Sequence, residues 1–309
     1  GIIASDNRCS GDGAVVAVSS GDLTIRDSRF EDNIAEDDGG AVSVLSGTLV
    51  DIDSIYRNNS AVRGGAILVE SSGVTIRGGL FADNDADVSG GAIAMTGGGV
   101  LKIEGNRFFS NIADGDGGAI KLTDVLVPGG YVRNNHIAEN RAGGAGGGIH
   151  IGGNNAGMVI ANNTIHGNAA SESGAGLAVE ASNADALYIW SNLVTYSQGP
   201  TGVWIYDGSN ANLAYNSAYG TSAGEAYDFE LFPGEDFGFN RSENPEYVDY
   251  SPNDDPTDDD LRLGTVSPVR DSGPTNGSGP SGYTTWQDAD GSVNDRGMTG
   301  GQGQAPPTP

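Results

Sequence analysis

Cysteine is almost missing. Cys9 stands alone among 309 residues, which excludes an intramolecular disulfide. Basic residues are scarce too, 15 Lys and Arg against 41 Asp and Glu, for a formal charge of −26. Such a chain repels phosphate backbones and anionic lipid, so nucleic-acid binding is disfavoured. No apolar run approaches the ~18 residues of a spanning helix, so membrane insertion is not expected. Apolar runs of about 10 residues at 3.6 spacing are also lacking, which argues against helices. Proline is low at 12, yet glycine reaches 51. The glycines fall at fixed offsets, which makes them turn punctuation and not a flexible linker.

What the chain does contain is one stretch rewritten many times. Phe30-Glu31-Asp32-Asn33 leads to Gly39-Gly40-Ala41-Val42, and Tyr56 to Ile67, Phe81 to Ile93 and Phe108 to Ile120 repeat both halves. Ile137 to Ile149 and Ile165 to Leu177 keep the spacing with softer residues. The residue before the aliphatic falls at 14, 41, 66, 92, 119, 148, 176 and 202, in steps of 25 to 29. A period of that size signals a solenoid. No signal peptide is visible, and Ile3-Ala4-Ser5-Asp6 already stands in repeat phase before Ala14. The start therefore reads as a processed or trimmed end.

Each repeat carries three short apolar pieces. One follows the glycine pair (Val42-Ser43-Val44, Ile67-Leu68-Val69), one is of the type Val74-Thr75-Ile76, and the third is the aromatic half. Their period-2 alternation predicts strands with one buried face. The fold class expected is all-β, a right-handed parallel β-helix of about eight coils with three short strands per coil. Residues 1–220 form the solenoid in this reading, and 221–309 an acidic, loop-rich segment covering its end or flank. Stacked coils put equivalent residues in columns ~4.8 Å apart. Asn33, Asn59, Asn84, Asn111, Asn140 and Asn168 then form an amide ladder, with a second in Asn106, Asn135, Asn163 and Asn192. Phe30, Tyr56, Phe81 and Phe108 stack inside. Arg26, Asp53, Arg77, Glu104 and Arg133 read as an ion-pair ladder outside.

The paired F-x-x-N and G-G-A-[ILV] motifs resemble the repeats of polymorphic outer-membrane proteins and related bacterial right-handed parallel β-helix proteins. The resemblance covers residues 3 to about 177, and more loosely to about 220. It implies a surface-exposed, adhesive or structural protein, extracellular or on a bacterial cell surface. The family's C-terminal membrane barrel has no counterpart in these residues, so anchoring by that route is not expected.

Candidate chemistry is sparse. Asp288, Asp290, Asn294 and Asp295 surround a glycine turn and offer oxygen ligands that suit Ca²⁺, without the bidentate Glu of an EF-hand. The acid-rich corners at Glu36, Asp37 and Asp38, at Asp87, and at Asp114 and Asp116 are weaker candidates for an ion between coils. The outward column Val16, Ser43, Leu68, Ala94, Lys121, His150, Ala178, Trp204 contains no acid, which leaves Lys121 and His150 without a carboxylate partner. No catalytic residue is assigned on that basis. The aromatic residues Tyr188, Trp190, Trp204, Tyr206, Tyr215 and Tyr219 gather on the last coils, as a covered patch or a sugar-stacking platform. An open first coil offers its strand edges to another chain. The expectation is thus a structural or adhesive protein that self-associates head to tail into a filament. The alternative is a polysaccharide lyase, hydrolase or carbohydrate-binding module on the same fold.

Overall fold

The computed structural model describes residues 1–125, 128–155, 157–181, 187–206, 210–222, 228–230, 240–249, 260–263 and 267–268. Each coil up to residue 181 visits four parallel sheets in turn, and the later described strands extend three of them, sheets A, C and D. Sheet A takes the aromatic pieces (Arg29–Glu31, Ile55–Arg57, Leu80–Ala82, Arg107–Phe109). Sheet C takes those after the glycine pair (Val42–Val44, Ile67–Glu70, Ile93–Thr96, Ile120–Thr123), and sheet D the remainder (Gly47–Ile52, Ser72–Arg77, Leu101–Glu104). Sheet B, between A and C, was not anticipated. Its strands, such as Ile34–Ala35 and Ile112–Ala113, are too short for an alternating pattern to show. The described residues contain no helix, and therefore none long and apolar enough to cross a membrane.

Register confirms the columns. Ile67, Ile93, Ile120, Ile149 and Leu177 stand directly over one another along sheet C. Phe30, Tyr56, Phe81 and Phe108 stack with ring centroids 4.9, 4.9 and 4.8 Å apart, the spacing of the coils themselves. In the first asparagine ladder each side-chain amide donates to the side-chain oxygen one coil on: Asn59 Nδ2 to Asn84 Oδ1 at 2.9 Å, Asn84 Nδ2 to Asn111 Oδ1 at 2.9 Å. The same amide also caps a backbone carbonyl one coil back, as Asn84 Nδ2 does for Tyr56 at 3.1 Å. This ladder begins at Asn7 and ends at Asn168. The second runs from Asn106 through Asn216 to Asn240, so stacking continues beyond residue 220. Phe229–Glu230 likewise adds a strand to sheet C.

The glycine pair has two separate jobs. Gly64 holds φ at +62°, a region that costs a side-chain-bearing residue dearly. Gly65 has no room for a side chain, because a Cβ there would lie 2.2 Å from the Gly91 carbonyl oxygen of the next coil. Residues before ladder asparagines also sit in the left-handed region, as Asp32, Asn58 and Asp83 do at +56°, +52° and +56°, where short polar residues are tolerated.

The outer charge ladder is only half as long as expected. Arg77, Glu104 and Arg133 do align, with Glu104 3.2 Å from Arg77 and 2.7 Å from Arg133. Arg26 and Arg77, however, both pair with Ile52, while Asp53 occupies the turn beyond it at φ +57°. The acid that falls in a stacked column is Asp51, and it points inward between Ile25 and Ile76. It is 2% exposed, in the one coil whose aromatic is tyrosine. Burial raises the Asp51 carboxyl above its usual range, against the opposing help of Ser54 and Tyr56. Burial and the neighbouring Asp51 charge likewise push the Tyr56 hydroxyl well up. Neither Asp51 oxygen nor the Tyr56 hydroxyl completes a well-formed hydrogen bond.

Two outcomes follow for stability. Asn84→Ala strands the donors of Asn59 and the Tyr56 carbonyl, and should cost about 2–4 kcal/mol in urea unfolding. Asp51→Ile, made together with Tyr56→Phe, should stabilise by about 1–3 kcal/mol at pH 7. The Asp51 carboxyl is raised when folded, so its contribution is fullest below the unfolded value of 3.8 and is lost as pH rises through the folded one. The gain should therefore shrink towards pH 4; a gain that does not vary with pH would rule out a raised Asp51.

Candidate functional site

The outer face of sheet C gathers the charged groups most able to meet a ligand. Its central column is Ala17, Ser43, Leu68, Ala94, Lys121, His150, Ala178 and Trp204; Val16 pairs with Val42 and so faces inward. The next outward position holds Thr123, Gly152 and Glu180. Lys121 and His150 do have carboxylate partners, contrary to expectation. Asp116, from the turn before the glycine pair, accepts from Lys121 Nζ at 2.8 Å and lies 3.9 Å from His150 Nε2. Glu180 approaches the same nitrogen at 3.5 Å. Neither acid belongs to the column of Lys121 and His150, which is why the column showed none.

The electrostatics follow from this packing. Burial works to raise the Asp116 carboxyl, but Lys121, the Ala145 amide and His150 together outweigh it and hold the group below its usual range. Glu180 is lowered chiefly by its contact with His150. His150 is 1% exposed, and neither ring nitrogen completes a hydrogen bond. It fits tightly because Gly146 lies against it, where a Cβ would come within 2.6 Å of the His150 Cβ. A few coils earlier the same construction recurs: Arg63 bridges Asp38 at 2.6 Å and Glu70 at 2.9 Å.

The aromatic residues do not form one patch. Trp204 and Tyr206 share the sheet C face, ring centroids 6.0 Å apart. Tyr188 and Trp190 belong to sheet D, where Trp190 meets Tyr215 at 5.8 Å. Tyr219 ends on sheet A beside Tyr196, which in turn meets His166 edge-on. His136 and His166, both on the outer side of sheet A, are buried. Cys9 is half-buried with its thiol 3.0 Å from the Gly11 carbonyl.

At the acid-rich corners Glu36 pairs with Arg8, Asp38 with Arg63 and Asp116 with Lys121, while Asp37, Asp87 and Asp114 are in no ion pair among the described residues. Among the described residues no group of three or more His, Cys, Asp or Glu side chains is arranged to hold a metal ion. The proposed Ca²⁺ ligands Asp288, Asp290, Asn294 and Asp295 lie outside the described residues.

Stacked parallel coils with inward aliphatic columns and outward variable faces define the molecule as a β-solenoid of the right-handed parallel type. The family model described as "Right handed beta helix region" matches residues 12–194, and the chain belongs to that family. Comparison with curated proteins and with solved structures finds no match.

The buried histidines generate a pH dependence. Burial depresses His136 to about 3 and His166 to about 4, against 6.5 when unfolded. Below pH 6.5 the unfolded chain takes up protons that the folded one refuses, so stability is lost as pH falls through the folded values. Between pH 7 and pH 4 the native protein should lose roughly 2–3 kcal/mol more than His136→Met does, as measured by urea unfolding. Equal losses would show that His136 is not buried in its neutral form.

Proposed function

We propose that this protein is an extracellular or cell-surface structural and adhesive β-helix that associates head to tail. The observation that carries the reading is where the recurring residues sit. Ladder asparagines, stacked aromatics and glycine pairs are all committed to holding one coil on the next, while the outward positions differ from coil to coil. A repeat spent on stacking suits a rigid rod that presents faces. The motifs' resemblance to bacterial outer-membrane repeats supports a surface setting, and the charge of −26 suits solubility there.

Backbone pairing from coil to coil supports self-association: each coil hydrogen-bonds to the next in parallel, so a coil of a second copy can continue the same sheets and cover the exposed Ile2 and Ile3. Ca²⁺ bound by Asp288, Asp290, Asn294 and Asp295 is part of the proposal, through oxygen ligation near the other end of the chain.

A second reading, a polysaccharide-active enzyme, draws on one feature: Asp116 and Glu180 flank the same His150 nitrogen, a pairing of carboxylates that glycoside hydrolysis uses. The burial of His150 speaks against it.

Small-angle scattering across a concentration series, with Ca²⁺ and with a chelator, tests the first reading. The particle should lengthen in whole-monomer steps, Ile3→Lys should hold it at one monomer, and chelation should shorten it. A particle that stays monomeric at high concentration under both conditions would sink head-to-tail assembly.

A further inference from the structure

Three acids at the outer face of sheet C each hold a cation of the chain: Asp38 and Glu70 share Arg63, and Asp116 takes Lys121. Glu180, and Glu230 beyond Trp204, are in no such pair, and of these two Glu180 is the one set between ring-bearing side chains. Glu180 has no lysine or arginine at salt-bridge distance among the described residues; its close basic neighbour is the His150 imidazole, with the Lys121 charge acting from farther off. The carboxylate is 43% exposed, so it is open to a partner from outside.

The surroundings of Glu180 form a recess. Ala178 is its floor, a buried methyl in the column with His150 one coil before it and Trp204 one coil after. Two ring-bearing side chains thus stand about 4.8 Å to either side of a small one. Along the next outward position, Tyr206 lies beside Glu180, because its backbone N–H donates to the Val179 carbonyl at 2.8 Å. Tyr206 is 55% exposed, and its ring meets that of Trp204 at 62°. A carboxylate beside two inclined aromatic rings is what a cation–π site needs. His150, 1% exposed, turns Nε2 towards one Glu180 oxygen at 3.5 Å, the place of an N–H donor, and leaves the other carboxylate oxygen for a partner.

We propose that this recess binds a side-chain cation, a lysine ammonium or an arginine guanidinium, presented by a basic polypeptide. Lys121 against Asp116 is the same contact already made within the chain, two strands away. A hydrated Ca²⁺ ion, which wants six to eight oxygens, would find Glu180 and an Asp116 already held by Lys121, and gains nothing from the aromatic walls. A polypeptide fits better than an isolated cation because it can also reach further acids two to three coils away on sheet B. Asp85 is raised there by burial and by the charges of Asp114 and Asp87. The overall charge of −26 draws such a partner in. The inference rests on the adhesive reading and names the partner's chemistry.

The test is calorimetric titration at 50 mM NaCl of a lysine- and arginine-rich dodecapeptide, with its fully acetylated, citrulline-containing counterpart as the neutral probe. The monomeric Ile3→Lys protein serves as host, so failure of head-to-tail assembly leaves the result readable. The basic peptide should bind, the neutral one should not, and Glu180→Gln should weaken binding on the order of tenfold. Tyr206→Ala should weaken it severalfold, whereas Asp87→Asn should change it less than twofold. Circular dichroism melting checks that each variant is folded. Equal weakening by Glu180→Gln and Asp87→Asn would reduce the effect to general charge attraction and overturn the site. So would absence of binding, or binding of the neutral peptide. Glu180-dependent binding of an amino-sugar oligomer in place of the peptide would overturn the choice of partner.

Discussion

Everything in this molecule depends on one requirement: a polar group buried between coils must find its partner in the coil above or below. Coils repeat every ~4.8 Å, so a side chain that both donates and accepts along that axis can satisfy itself indefinitely. Asparagine does this with one amide. Its oxygen takes a backbone N–H and a side-chain N–H from the preceding coil, while its own nitrogen serves the following oxygen and a preceding carbonyl. The two ladders overlap, one ending at Asn168 and the other starting at Asn106, so the described rod keeps at least one corner bonded in this way from Asn7 to Asn240. Serine stands in where the second ladder has no asparagine, as Ser54 does for the Ser28 N–H.

The same spacing governs the outside, with a different outcome. Charges one coil apart are close enough to pair, and the chain exploits this wherever it has a base to spend: Arg77, Glu104 and Arg133 on sheet D, Arg63 with its two acids on sheet C. With 15 bases against 41 acids the supply runs out. Acids left over are therefore inevitable, and where they fall decides what the surface attracts. Asp85, Asp87 and Asp114 repel one another on sheet B. Glu180 is left beside aromatic rings, which is a more selective environment than a bare acidic edge.

How much of this was legible depended on whether a feature recurs. The solenoid, three of its sheets and both ladders could be read because Phe81, Asn84, Gly90 and Gly91 have counterparts one period away in either direction. Sheet B could not, because a pair such as Ile34–Ala35 is too short to carry a periodicity. Asp53 seemed to belong to the charge column because Gly47–Ile52 reads equally well one step along. Register instead turned Asp51 inward. The contacts of Lys121 with Asp116 and of His150 with Glu180 were hidden for another reason. They join a turn, a strand and a neighbouring strand position, so no single column contains them. The aromatic residues of the last coils dispersed because nearness in sequence is not nearness here. Successive pieces of one coil belong to different sheets, so Trp190, Trp204 and Tyr219 look out on three faces.

Of the buried polar atoms in the described rod that lack hydrogen bonds, two sets have positions that give them opposite meanings. The Asp51 carboxyl and Tyr56 hydroxyl are sealed inside, between aliphatic and aromatic columns that continue on both sides. No partner can reach them, so their imperfection can only be felt as stability and its pH dependence. His150 is just as buried but faces outward, beneath a carboxylate that solvent does reach. A cation arriving at Glu180 meets a carboxylate that the His150 ring already approaches from beneath, so the buried group acts on it through Glu180. In a solenoid, therefore, the side of the strand on which an unpartnered group falls separates a structural cost from an interaction site.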